Sequence, residues 1–97
     1  MEIYDIRKII ARLNLKAKNY QEAYEQYINC IEIAEKYFEI DHVELSDLEE
    51  RCGEICILLK NSSASGHFRR ASKFLSEKVG EGHMKVTELS LKAENYK

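Results

Sequence analysis

The chain has no proline, no tryptophan and only four glycines in 97 residues. Proline and glycine punctuate a chain into turns and short strands, so their scarcity excludes a hairpin-rich architecture and favours long helices. Neither sign of charge dominates. Fifteen Lys and Arg stand against 17 Asp and Glu, a formal net charge of −2, which supplies no global attraction to nucleic acid or an anionic membrane. No apolar run approaches the roughly 18 residues of a spanning helix. The chain opens on Met1, Glu2 and Asp5 in place of a basic stretch and an apolar core, so no secretory leader is expected. The three cysteines are odd in number and match no disulfide framework, so a reducing, cytoplasmic setting is expected. With 44% apolar and 33% charged residues the composition is globular, and the length suits one domain over 1–97.

Apolar residues spaced by three and four mark five helical segments. The first spans about Ile3 to Lys18, with Ile3, Ile6, Ile10, Leu13 and Ala17 on its expected buried face. Asn19 is an N-cap candidate for the second, with Glu22 three residues on as in a capping box. That helix runs from about Tyr20 to Tyr37. Its stripe is Tyr20, Ala23, Tyr27, Cys30, Ile31 and Ala34, widened by Tyr24, Ile28 and Ile33, which predicts cover on two sides. The third is expected from a Ser46 cap, with Glu49 three residues on, to about Lys60, burying Leu45, Leu48, Cys52, Ile55 and Leu59. Gly53 lies inside it, where glycine costs about 1 kcal/mol against alanine unless a neighbouring backbone comes close. Asn61-Ser62-Ser63 reads as a turn. The fourth helix follows to about Lys78 on Ala64, Phe68, Ala71 and Leu75, and Gly80-Glu81-Gly82 stops it. The last, from about Lys85 to Tyr96, carries Val86, Leu89, Ala93 and Tyr96.

The pattern small-x3-aromatic-x2-small occurs twice, as Ala23-Tyr27-Cys30 and Ala64-Phe68-Ala71, and Asp41-His42 returns as Gly82-His83. Each pair of positions is separated by 41 residues, and Ala11 and Gly53 by 42. A period of roughly 20–50 residues marks a stacked array whose units cannot bury their apolar faces alone. With Tyr20 before Ala23, the pattern resembles the second helix of a tetratricopeptide repeat. Ala11 and Gly53 fill the small-residue position of the first helix. The long period, with Glu35-Lys36 to Asp41-His42 closing one unit and Glu77-Lys78 to His83 the next, is similar to the kinesin-light-chain variety. It is similar also to the helical C-terminal region of SET/MYND lysine methyltransferases. Departures are Val43 and Met84 where the family commonly has proline, and Lys18 in place of the glycine of the intra-repeat turn. The resemblance implies an all-α, right-handed stack of antiparallel helix pairs. Repeat 1 would cover about 1–41, repeat 2 about 42–82, and a C-terminal helix about 83–97.

The same resemblance implies a non-enzymatic module that binds a peptide or helix of a partner protein, in a concave groove or at an open apolar end of the stack. The groove residues it implies are Lys8, Arg12, Leu15 and Lys16 from the first helix. From the third they are Glu50, Arg51, Glu54, Ile57 and Leu58. Met84, Leu89, Leu91 and Ala93 make the last helix apolar for a cap, so a truncated array or self-association is expected. The other function class is a helical accessory domain of a larger enzyme; a third reading is a bundle binding acidic surfaces through Lys8–Lys18. No nucleic-acid or membrane partner and no cofactor are expected. Cys52 and Cys56 share a metal-compatible spacing, but further ligands would have to come from Cys30, His42, His67 and His83, which form no metal-binding motif. His67-Phe68-Arg69-Arg70 is a weak phosphate signal. His42 and His83 fit helix-end capping better than catalysis.

Overall fold

The computed structural model describes residues 2–37, 42–80 and 82–96, with side chains over 4–36, 43–80 and 82–96. In chain order the helices are α1 (Glu2–Lys16), α2 (Tyr20–Tyr37), α3 (His42–Leu59), α4 (Ala64–Val79) and α5 (Met84–Asn95). No strand occurs among the described residues. Each helix packs on the next in sequence. Side chains then reach one helix further. Tyr4 Oη and Lys8 Nζ of α1 both donate to Glu44 of α3. Tyr24 of α2 lies 2.9 Å from His67 of α4. Lys85 of α5 donates to Glu50 of α3 at 2.8 Å. The helices therefore form two layers, α1, α3 and α5 in one, α2 and α4 in the other. The extents of 34 × 32 × 18 Å agree: the short dimension is two helices deep at about 8–10 Å between axes. This is an all-α fold of stacked helix pairs.

Two apolar clusters meet on α3. The first joins Tyr4 and Ala11 of α1, Ala23, Tyr27 and Cys30 of α2, and Leu45, Leu48, Cys52 and Ile55 of α3. The second joins Cys56 to Phe68, Ala71 and Leu75 of α4 and Val86, Leu89 and Ala93 of α5. Tyr24 packs against both. α3 and α4 approach closely because Gly53 lacks a side chain: a Cβ there would stand 2.9 Å from the Phe68 ring. The close contact also explains why Ser46 is no cap. α3 begins at His42, four residues before it. Ser46 is instead buried, its hydroxyl donating to the Ala71 carbonyl at 2.7 Å. Ser65 makes the same kind of clasp one pair along, to the Ala93 carbonyl at 2.8 Å.

The two intra-pair turns are alike. Lys18 and Lys60 take left-handed backbone, φ 64° and 57°. The next residue's N–H bonds back five positions in each turn, Asn19 to Asn14 O and Asn61 to Cys56 O, both at 2.8 Å. That is the Schellman stop, usually built on glycine. It ends α1 at Lys16, short of the expected Lys18. Asn19 offers its backbone carbonyl to the N–H of Ala23, the fourth residue of α2, while its side-chain amide turns to Asn14 Oδ1. Gly80 closes α4 at φ 88°. His83 caps α5, its Nδ1 accepting from the Lys85 N–H at 3.1 Å. The corresponding expectations for Ile3, Asp41 and the His42 side chain lie outside the described positions.

Candidate functional site

α1 carries two apolar stripes on opposite sides, because a helix advances about 100° per residue. Tyr4 and Ala11 are buried and Leu15 packs against them. Ile6, Ile9, Ile10 and Leu13 lie on the other side, 55%, 49%, 37% and 60% exposed. The sequence spacing predicts Ile6, Ile10, Leu13 and Ala17 as the buried set; the structure reverses this. Both stripes satisfy the helical period, and period alone cannot say which one meets a neighbour. Tyr4 wins the inner position because its hydroxyl reaches Glu44 at 2.6 Å while its ring fills the first cluster.

The uncovered stripe faces away from both α2 and α3, at the open end of the stack. Arg12 and Lys16 flank it on the α3 side, in one row with Asp5 and Ile9. Arg7 flanks it on the α2 side and donates to Gln26 Oε1 at 3.5 Å. The four large aliphatic side chains form an exposed apolar patch rimmed by polar groups.

The expected groove residues divide. Arg12 and Lys16 are exposed and border the apolar stripe. Lys8 is half-buried and bound to Glu44, and Leu15 belongs to the core. On α3, Glu50 is only 7% exposed. Its carboxylate accepts from Lys85 at 2.8 Å and Lys92 at 3.5 Å. Arg51 pairs with Glu54 at 2.8 Å and Asp47 at 3.6 Å. Ile57 packs against the second cluster, and Leu58 stands exposed. Lys8 and Glu50 thus tie one helix layer together, Leu15 packs against the first cluster, and no single patch collects all nine residues.

Glu50 is expected to make the stability of the fold pH-dependent. Burial opposes its ionisation, but the Lys85 hydrogen bond and charge, aided by Lys92, outweigh it and hold the carboxyl below its usual 4.5. A carboxyl with a depressed folded pKa contributes stability that is complete above the unfolded pKa and is lost as pH falls through the folded one. Urea midpoints measured downward from neutral pH are therefore expected to fall below about pH 4.5. Glu50→Gln should show a lower midpoint at neutral pH and a shallower acid limb. Equal acid limbs would refute the assignment.

The sequence gives no sign of a buried polar chain linking α2, α3 and α4. His67 Nδ1 lies 2.7 Å from Glu49 Oε1, and Arg70 Nε donates to Glu49 Oε2 at 3.0 Å. With the imidazole proton assigned to Nδ1, His67 donates to Glu49 and Nε2 accepts from Tyr24 Oη at 2.9 Å, while Arg70 Nη2, 3.0 Å from the same Nδ1, meets a donor and makes no bond there. Burial pushes the Tyr24 phenol up to about 12, so it remains a donor. The arrangement has the connectivity of a proton relay. His67 and Glu49 are buried, and the chain ties α2, α3 and α4 together. It also engages Arg70, so that of the two exposed arginines of the phosphate-like run one is already bound to a carboxylate. Glu49 was legible only as a capping residue, because its partners are 18 and 21 positions away on another helix.

Cys30, Cys52 and Cys56 are free and buried. Burial is the largest influence on each and raises all three, Cys30 to about 11, so they are thiols and poor nucleophiles or ligands. Among the described residues no group of three or more His, Cys, Asp or Glu is placed to hold a metal ion. No described helix is long and apolar enough to cross a membrane. Compared with known protein families, with curated proteins and with solved structures, the chain matches none.

Proposed function

We propose that the chain is a non-enzymatic, tetratricopeptide-like interaction module that takes a helix of another polypeptide on the open end of its stack. The observation that carries this reading is the uncovered Ile6–Ile9–Ile10–Leu13 face of α1. In a stacked array each helix pair buries its apolar side against the next, and an end that remains apolar is a seat for one more helix. The tetratricopeptide reading draws support from the two repeated Schellman turns and from the Gly53–Phe68 contact at the small-residue position. Free cysteines support a reducing, cytoplasmic setting. Arg12 and Lys16 beside the stripe favour acidic groups on the incoming helix.

A display library of amphipathic helical peptides, selected on the folded chain, tests this. Selected peptides are expected to lose affinity roughly tenfold or more on Leu13→Asp, as for a central apolar contact, and little on Arg51→Glu. Peptides whose binding ignores Leu13→Asp would place the surface elsewhere and sink the reading.

A further inference from the structure

We propose that the helix seated on this face is α1 of a second copy, packed antiparallel about a two-fold axis between Ile9 and Ile10. The inference rests on the interaction reading above and names the occupant of that same surface.

The apolar stripe is symmetric along the chain. Ile6 and Leu13 lie three and four positions from the inner pair, and reversing the helix about the midpoint exchanges Ile6 with Leu13 and Ile9 with Ile10. A surface of this kind is complementary to itself under a two-fold rotation, the commonest symmetry of soluble oligomers. All four residues are exposed, so no internal contact has to be broken to use them.

The charges select the direction. One flank carries Asp5 near the start of α1 and Arg12 and Lys16 near its end; the other carries Arg7. When two helices pair antiparallel, like flanks meet. Position 12 of the copy falls level with position 7, and position 16 level with position 3. Asp5 then lies between Arg12 and Lys16 of the copy, about 3 Å along the axis from each. The contact forms twice by symmetry. A parallel pair would instead set this flank against the Arg7 flank, where Asp5 would meet Arg7 alone and Arg12 would stand about 7.5 Å along the axis from Arg7, so fewer opposite charges would meet. The outer face of α5 is a weaker seat: Met84 and Leu91 are exposed there, but Glu88 lies between them.

Sedimentation of the whole chain at rising concentration is expected to show a monomer passing to a dimer and no further, because an isologous contact closes on itself. Leu13→Asp should hold the chain monomeric. Ile9→Gln, a milder change, should weaken the dimer roughly tenfold, and circular dichroism should show both variants folded because these side chains are exposed. Asp5→Arg should weaken the dimer, and so should Arg12→Asp with Lys16→Asp; all three substitutions together should restore it. A chain that stays monomeric, a dimer indifferent to Leu13→Asp, or a triple variant that fails to recover overturns the proposal. If the monomer still binds Leu13-dependent peptides, self-pairing is wrong and the interaction reading stands; if it binds none, both are wrong.

Discussion

Gly53→Leu is expected to destabilise the folded chain by about 3 kcal/mol, the upper range for overpacking a filled core. A small domain is stable by only a few kcal/mol, so this is a large share of its total. Even Gly53→Ala tests the contact. In an exposed helix that change gains about 1 kcal/mol, because alanine is the better helix former. Here the added methyl would stand 2.9 Å from the Phe68 ring, and Phe68 is fully buried. The ring has no solvent to retreat into, so α3 and α4 must separate or the ring must leave its rotamer. Overpacking costs about 1–3 kcal/mol and outweighs the propensity gain. Urea unfolding should therefore give a lower midpoint with an unchanged slope. Shortening the opposing side chain supplies the control. Phe68→Leu alone leaves a gap, but combined with Gly53→Ala it should recover part of the loss, a favourable coupling between touching residues. A Gly53→Ala chain more stable than the native one would refute the close approach.

Glu49→Ala should cost about 3 kcal/mol, at the lower end of the range for breaking a buried ion pair. The lower end applies because the two partners differ in access. Arg70 has a side chain 52% exposed and can turn to water, whereas His67 at 4% cannot, so one buried donor is stranded. Glu49→Gln keeps an acceptor for His67 but aims an amide donor at Arg70. It should cost less, about 1–2 kcal/mol. Replacing the pair, Glu49→Leu with His67→Phe, removes the two most buried polar side chains together, leaves the less buried Tyr24 hydroxyl and Arg70 to turn to water, and should be milder than the sum of the single changes. Strict additivity in that cycle would show that the two side chains do not interact.

Much of the fold is legible in the residues because helices are local. Spacings of three and four marked the buried stripes of α2 and α4, and that of α5 except for Tyr96, which lies past the helix end and is exposed. Ala11 and Gly53 were legible as contact points because a small residue in a helix interior has few other uses. α1 was misread for a different reason. Its apolar residues occupy two sides, and the period is satisfied by either. Ser46 and Glu49 were misread as a cap because serine and glutamate three apart fit a helix start equally well when nothing is known of the neighbouring helix.

The candidate surface shows the same division. Arg12 and Lys16 stand at the surface as their charge requires, while Glu50 is charged and yet buried. Its burial depends on Lys85 and Lys92, which arrive 35 and 42 positions later on α5. No local pattern encodes that meeting.

What the chain settles unaided is the all-helical class, the five segments and their two-fold repetition, since period, caps and the lack of proline act within a few residues. Which side of α1 is covered, which acids are buried and where an apolar face is left over were decided by packing. Those outcomes depend on which helices become neighbours, and that is a property of the assembled stack rather than of any single segment.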